Sequence, residues 1–235
     1  MRYGLPITNS ELFSLKSPKS ESIETLNPLS AVSGTNLSTL AGVELANHNL
    51  AGLTLPYGNL SRAVLIGCDL RHANFHGADL SDANLIAASL RQSNLRQATL
   101  SRGLFNRCNL SEADLTAADA NQAQFYQAIF TDAEAQGLAL YQANLGHAQL
   151  MRGHFHQAYA PEADFRQTMA IAVDLRWANL KKANFQGANL TGANFRGANL
   201  AGANFQGANL TGANFRGANL LATQFQQANL TNIRW

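Results

Sequence analysis

Residues 183–192 read ANFQGANLTG, which is one five-residue unit written twice. Each copy begins with Ala, continues with Asn and a central Leu or Phe, and ends with two variable residues. The central residue recurs at every fifth position from Leu40 to Leu230, a period that neither an ordinary helix nor an ordinary strand produces. No insertion or deletion interrupts this frame. The pattern therefore predicts a repeat array in which one structural unit stacks on the next.

The unit resembles that of the pentapeptide repeat family, Ala-(Asn/Asp)-Leu-x-x, and the resemblance runs from about Ser38 to the end of the chain. It implies an all-β fold, the right-handed quadrilateral parallel β-helix, in which four units form the four sides of one coil. The central residue and the small residue two positions before it face inward. We therefore predict a β-helix over residues 38–235, preceded by a short N-terminal cap or partly ordered segment over residues 1–37.

A coil of four units predicts a second period of twenty residues, and the sequence contains one. The segments 183–202 and 203–222 differ only at their last two positions. Two inward side chains separated by one outward residue fit the alternation of an extended backbone, and stacked coils pair their backbone groups at a spacing of about 4.8 Å. We expect Phe185, Phe205 and Phe225 to form one inward stack.

The two cysteines, Cys68 and Cys108, both occupy the small inward position and lie forty residues apart. The repeat places them in one column, two coils apart, with their Cα atoms separated by about 9.6 Å. That distance is too long for a disulfide. We predict two buried free thiols, which are typical of a reducing compartment.

The middle third of the array keeps its register but changes its residue sizes. Ala stands at the central position in four units, while bulky residues such as Leu138 and Val173 appear elsewhere. Exposed aromatic residues anchor many protein interfaces. Aromatic residues at outward or corner positions in or beside this block are predicted to bind a partner, and they are Tyr126, Tyr141, Tyr159 and Trp177. The alternative is tolerated variation within the repeat, with Leu138 and Val173 filling space lost elsewhere.

Charged residues are banded along the chain, although the formal net charge is only +2. Residues 84–111 carry four Arg and no acid, residues 112–174 carry eight acidic and two basic groups, and residues 175–235 carry six basic groups and no acid. The last band contains three arginines at one outward position on successive coils, Arg176, Arg196 and Arg216. This column could bind carboxylates or phosphates. The alternative is that coil duplication simply repeated one arginine.

The sequence does not indicate an enzyme. His154 and His156 are the one pair of imidazoles directed to the same outward side, and a structural zinc site needs four ligands. A nucleophile needs a base and an orienting group in a water-shielded cleft, and a convex array without insertions offers none. The recurring glycines belong to the repeat and precede no helix, so they are not a phosphate-binding loop. We predict no cofactor and no metal.

The family resemblance implies two protein-binding roles. The first is a non-catalytic scaffold or regulator that binds an unidentified protein, as in cyanobacterial members, one of which acts in cell-differentiation signalling. The alternative is a DNA-mimic modulator or protector of DNA gyrase, as in the quinolone-resistance members. That mimicry needs a strongly acidic surface, and only residues 112–174 could supply one here. The basic band is too sparse for specific nucleic-acid binding.

The end of the array places Ile233 and Trp235 at inward positions. These side chains predict either a hydrophobic plug over the last coil or a homodimer contact through the C-terminal coil. No apolar run is long enough to span a bilayer, and the first residues lack the layout of a secretory signal. We therefore expect a cytoplasmic protein without a membrane span.

Overall fold

The computed structural model describes residues 40–235, so the predicted cap over residues 1–37 lies outside the described residues. Within this range every unit repeats one backbone pattern, in which two turn residues follow the central residue and one residue per unit forms parallel β-bridges. Each bridge joins residues twenty positions apart, from Glu44 with Val64 to Asn214 with Arg234. The bridges are isolated. Residues 40–235 contain neither a helix nor an extended strand, and hence no helix that could span a membrane.

The bridges form four columns, because one coil of twenty residues contains four units. We number the sides of the solenoid 1 to 4 along the chain. The two turn residues that follow the central residue of a side form the corner of the same number. In the coil formed by residues 183–202, the bridge residues of sides 1 to 4 are Asn184, Asn189, Asn194 and Asn199. Every twentieth residue returns to the same side or corner.

Backbone hydrogen bonds join each coil to its neighbours. The N–H of the central residue Leu190 donates to the C=O of Asn209 in the following coil at 2.8 Å, and the second turn residue Gly192 donates in the same way to Thr211 at 2.8 Å. The N–H of Ala193 closes a turn onto the C=O of Leu190 at 3.0 Å. The N–H of Asn194 donates back to Val173 at 2.9 Å. Four of the five N–H groups in a typical unit are thus satisfied by backbone.

The Asn or Asp of the repeat satisfies the fifth N–H group, which belongs to the first turn residue. Asn204 shows the arrangement: its Oδ1 accepts a hydrogen bond from the N–H of Gln206 at 2.9 Å. Where the unit lacks Asn or Asp, the preceding coil can supply the acceptor. The N–H of Tyr126 donates to Oδ1 of Asn106 at 2.9 Å. The polar residue of the repeat therefore has a structural role.

The inward side chains form one continuous core along the array. The predicted phenylalanine stack is confirmed, and it also includes Phe165. Successive ring centroids of Phe165, Phe185, Phe205 and Phe225 are 4.7, 4.9 and 5.4 Å apart, with nearly parallel planes. The ring of Phe195 on side 3 meets that of Phe205 at 84°. Stacked and edge-to-face contacts thus alternate within the core.

Packing in the middle of the array compensates for its small central residues. Leu138 and Val173 are fully buried at positions that normally hold Ala. Each lies three residues after a central Ala, namely Ala135 and Ala170, which are also fully buried. This arrangement is the one expected if the large and small residues exchange places to keep the core filled.

Both cysteines are buried and free, as predicted. The Sγ of Cys68 donates to the C=O of Leu45 at 2.8 Å, and the Sγ of Cys108 donates to the C=O of Leu85 at 2.7 Å. Burial raises the pKa of the Cys68 thiol and raises the pKa of the Cys108 thiol to about 12. Neither thiol is positioned to react while the chain is folded.

The last coil is less buried than those before it. Phe225, Leu230 and Ile233 are half-buried, and Trp235 is 62% exposed. The Trp235 ring packs against Phe225 and Phe215, with centroids 6.1 and 5.8 Å away. Trp235 therefore covers part of the core but leaves apolar surface uncovered.

Candidate functional site

The residues predicted to bind a partner do not form one patch. Tyr126 lies at corner 1, Tyr141 at corner 4 and Tyr159 on side 4. The other four lie at corner 3, and they are Trp177, Arg176, Arg196 and Arg216. Corners 3 and 4 flank side 4, so most of these residues border one side of the solenoid. Tyr126 is separated from them by side 1.

Packing against a neighbouring coil partly explains why aromatic residues occur at the corners. Trp177 is 61% exposed, yet its ring lies over Gly197 of the following coil, where a Cβ atom would overlap the indole. The ring of Tyr126 stands similarly beside Gly146, and a Cβ atom there would lie 3.5 Å from it. Exposure of these rings is therefore combined with a contact to a glycine one coil later. On side 4, Tyr159 is 49% exposed.

Tyr141 is the least exposed of the four aromatic residues, because it is half-buried at corner 4. Its backbone N–H donates to Oδ1 of Asn121 in the preceding coil at 2.8 Å. Pro161, at the same corner position of the following coil, is buried. Tyr141 thus exposes a smaller fraction of its surface than the other three aromatic residues.

The arginine column of corner 3 is not uniform. Arg176 forms a bidentate ion pair with Asp174, through its Nε at 2.9 Å and a terminal nitrogen at 2.7 Å. Burial alone would raise the pKa of Asp174, but hydrogen bonds from the Arg176 side chain and backbone outweigh it and lower that pKa. Arg196 and Arg216 each have an Asn two residues earlier, where Arg176 has Asp174. Neither has an ion-pair partner within residues 40–235. Two of the three arginines are therefore available to an anionic group.

Ion pairs within units and between neighbouring coils neutralise much of the banded charge. Arg102 pairs with Asp82 at 2.8 Å and Arg152 with Asp132 at 2.7 Å, each across one coil. Six of the eight carboxylates in residues 112–174 are within ion-pair distance of Arg or Lys, namely Glu112, Asp114, Asp132, Glu162, Asp164 and Asp174. The surface formed by residues 112–174 is consequently much less negatively charged than the sequence of that band indicates.

A cavity opens at corner 1 that the repeat pattern alone does not predict. Its volume is about 360 Å³. Its lining residues are Tyr126, Asn144, Gly146, His147, Asp164, Arg166, Gln167 and Gln186. The sequence carries one signal for it, since Gly146 is the only glycine at a first turn position within residues 40–235.

The two histidines of the predicted pair occupy different kinds of position. His154 is exposed on side 3, while His156 is half-buried at corner 3, and its Nδ1 has no hydrogen-bond partner. Across the described range, no three His, Cys, Asp or Glu side chains come together in a way that could hold a metal ion.

Comparison with solved structures places this solenoid among known repeat proteins. HetL, a pentapeptide repeat protein involved in heterocyst differentiation regulation from the cyanobacterium Nostoc sp. strain PCC 7120, superposes with a TM-score of 0.83 at 28% identity. The match covers 92% of this chain and 97% of HetL. QnrB1, a plasmid-mediated fluoroquinolone resistance protein, superposes with a TM-score of 0.47 at 20% identity. That match covers 77% of this chain and 89% of the QnrB1 chain. A pentapeptide repeat protein of the Arabidopsis thaliana thylakoid lumen superposes with a TM-score of 0.26 at 22% identity. That match covers 47% of this chain and 67% of the Arabidopsis chain.

Sequence comparison identifies the family directly. Curated protein sequences give no match. The family model for pentapeptide repeats matches residues 44–82, 59–97, 78–106, 108–146, 148–187, 162–197 and 193–232. These segments cover nearly all of the described array. The chain belongs to the pentapeptide repeat family.

Proposed function

We propose that this chain is a non-catalytic scaffold or regulator that acts by binding a protein partner. The observation that supports this role most is the similarity to HetL over nearly the whole length of both chains, because HetL is involved in the regulation of heterocyst differentiation. Its framework is the right-handed quadrilateral β-helix of the family. Four columns of bridges account for the four sides, and the structural neighbours support the hand.

A rigid rod with fixed residue spacing suits this role. The core is continuous and every coil is bonded to the next, so the backbone positions that carry the outward side chains have a fixed spacing without a partner. The proposed contact surface borders side 4, where Tyr159, Trp177, Arg196 and Arg216 remain exposed. Tyr126 belongs to a separate contact at corner 1. We propose a cytoplasmic location and an unidentified protein partner, with no cofactor.

The regulatory role can be tested in the organism of HetL. The chain would be expressed from an inducible promoter in Nostoc sp. strain PCC 7120, and heterocysts would be counted along the filaments. Induced HetL and an empty vector are the references. We expect the chain to change heterocyst frequency in the same direction as HetL. A frequency equal to that of the empty vector, at matched protein level, would contradict a shared regulatory role.

The gyrase alternative has less support, because the carboxylates that would imitate DNA phosphates are largely paired with cations. A supercoiling assay with DNA gyrase and a fluoroquinolone tests it. The purified chain should leave inhibition by the drug unchanged. Restored supercoiling would favour the gyrase alternative over the scaffold.

A homodimer through the C-terminal coil belongs to the same proposal. It is supported by apolar surface on that coil, where Leu221 is 74% and Trp235 is 62% exposed. Sedimentation equilibrium of the full chain should show a dimer, and Trp235→Ala should weaken it. A wild-type protein that remains monomeric at every concentration tested would contradict this contact.

A further inference from the structure

The cavity at corner 1 is a gap in a column of outward side chains. Tyr126, Gly146, Arg166 and Gln186 occupy the same first turn position on four successive coils. Gly146 contributes no side chain, so a gap is left between the side chains of Tyr126 and Arg166, whose backbones are two coil spacings, or about 9.6 Å, apart. The ring of Tyr126 borders this gap beside Gly146, 3.5 Å from where a Cβ atom would stand. We call this cavity the corner-1 notch.

The fold does not require glycine at this position. Gly146 is absent from the residues with positive φ, which all lie at second turn positions, so its backbone is open to any L-residue. Its N–H is capped by Oδ1 of Asn144 at 3.0 Å. On the following coil the equivalent residue has a side chain and the same hydrogen bond, because the N–H of Arg166 donates to Oδ1 of Asp164 at 2.9 Å. A Cβ atom at Gly146 would lie 3.2 Å from Oδ1 of Asn144 and 3.5 Å from the Tyr126 ring, so a side chain needs only a small shift of these neighbours and would extend into the notch.

Both walls of the notch are flat and held in place. Tyr126 packs edge-to-face against His147, with ring centroids 5.3 Å apart and planes at 66°. On the opposite wall, Arg166 is clamped by Asp164 through two hydrogen bonds of 2.9 and 2.7 Å. The walls are therefore an aromatic ring and a planar guanidinium whose conformational freedom is already restricted.

The charge of the notch selects against ionic groups. Asp164 uses both carboxylate oxygens on Arg166, and the charge of Arg166 is matched by Asp164. A cation would meet Arg166 and an anion would meet Asp164. A neutral flat ring, in contrast, can stack on the tyrosine and on the guanidinium alike. The amides of Asn144, Gln167 and Gln186 line the same cavity and can bond a polar atom on that ring.

We infer that the corner-1 notch binds a neutral aromatic side chain of a protein partner, a tyrosine or a tryptophan, inserted between Tyr126 and Arg166. The ring would occupy the cavity of about 360 Å³ that both residues line. Tyrosine and tryptophan combine a flat apolar body with one polar atom, as these walls and amides require. This inference rests on the proposed protein-binding function and names one of its contacts.

The test uses the full chain, labelled with ¹⁵N, and four N-acetylated, C-amidated tripeptides: Gly-Trp-Gly, Gly-Ala-Gly, Gly-Arg-Gly and Gly-Glu-Gly. We expect the tryptophan peptide to shift the backbone amides of His147 and Arg166 in a saturable manner. The alanine, arginine and glutamate peptides should give no saturable shift there. The inference is overturned if the tryptophan peptide gives none, or if the arginine or glutamate peptide binds as well.

The decisive variant is Gly146→Gln, which reproduces the side chain of Gln186 in the same column. It should weaken tryptophan-peptide binding at least about tenfold while leaving the melting temperature close to that of wild type. Tyr126→Ala, which empties one wall, should weaken binding similarly and serves if Gly146→Gln does not fold. Unchanged affinity in both variants would show that the peptide binds elsewhere.

The two proposals fail in different ways. If induced wild type alters heterocyst frequency and Gly146→Gln does so equally, while the tryptophan peptide does not shift His147, the scaffold role stands and the notch does not. If the peptide saturates the notch but induction has no effect on heterocysts, the binding site stands and the regulatory role does not.

Discussion

The indole of Trp177 lies over the backbone of Gly197, twenty residues later in the chain, so closely that a Cβ atom at Gly197 would overlap the ring. The ring of Tyr57 lies over Gly77 in the same way. All four residues are second turn residues with positive φ. A large side chain at this position can therefore pack down along the corner when glycine follows one coil later.

Replacing Gly197 with Ala should disturb this contact. The variant bears the cost of a Cβ at positive φ, roughly 1 to 2 kcal/mol, and also displaces the indole. Gly192→Ala is the matched control, because Gly192 has φ +68° and a Cβ atom added there would meet no other atom within 4 Å. Urea unfolding should show a larger loss for Gly197→Ala. In a Trp235→Phe background, only that variant should also shift the Trp177 fluorescence to longer wavelength, and equal losses without a shift would contradict the contact.

Truncating Phe205 tests the core. Its ring is fully buried and stacks on Phe185 at 4.9 Å and on Phe225 at 5.4 Å. Phe205→Ala should lower the free energy of unfolding by about 3 to 5 kcal/mol, because it removes a ring and leaves a cavity. Phe225→Ala should cost less, since Phe225 is half-buried. The comparison fails if thermal and urea unfolding give the two variants the same stability.

The five-residue period predicts the inward half of the molecule well, because a register without insertions fixes which residues share a column. The Phe185, Phe205 and Phe225 stack and the buried thiols follow from that register alone. The same rule places Arg102 next to Asp82, so this ion pair could also have been predicted by comparing residues twenty positions apart.

The notch is harder to predict, because it depends on side-chain direction at the surface. The register places Gly146 between Tyr126 and Arg166, but it does not say that Tyr126 packs on His147 or that Arg166 folds back onto Asp164. Those conformations depend on side-chain contacts that the five-residue period does not encode. A glycine at a first turn position can be recognised in the sequence. Whether it leaves a cavity depends on the conformations of the neighbouring side chains.

The polar residue of the repeat should be required for its oxygen. Asn204→Ala removes the acceptor for the Gln206 N–H, which is bonded at 2.9 Å, and should cost about 0.5 to 1.5 kcal/mol. Asn204→Asp keeps an acceptor at the same place and should remain close to wild type. Urea unfolding of both variants provides the measurement. Equal destabilisation would mean that the amide nitrogen, and not the cap, is what matters.

The buried thiol of Cys108 should make stability fall at alkaline pH. Its pKa is raised by burial from 9.0 to about 12, so above pH 9 the unfolded chain loses this proton before the folded chain does. The unfolded state then binds fewer protons, and the free energy of unfolding decreases as pH rises from about 9 towards 12. Cys108→Ala, which restores the usual small residue, should reduce that slope. A slope identical to that of wild type would contradict a buried, protonated thiol.

The ion pair of Asp174 with Arg176 should act in the opposite direction, at acidic pH. The pKa of Asp174 is lowered from its ordinary value of 3.8, so its contribution to stability is present above about pH 4 and is lost as pH falls through the lower folded value. Asp174→Asn keeps the cap on the Arg176 N–H and removes only the charge. Because the Arg176 side chain is 45% exposed, the cost at pH 7 should be at most about 1 kcal/mol.

The next coil offers the reciprocal change. Asn194 caps Arg196 as Asp174 caps Arg176, so Asn194→Asp should create one more ion pair of the same geometry. Melting temperatures between pH 7 and pH 3 should then fall less steeply for Asp174→Asn than for wild type, and more steeply for Asn194→Asp. Since the two sites are related by the twenty-residue repeat, changes of the same sign in both variants would show that the acid sensitivity arises from other carboxylates.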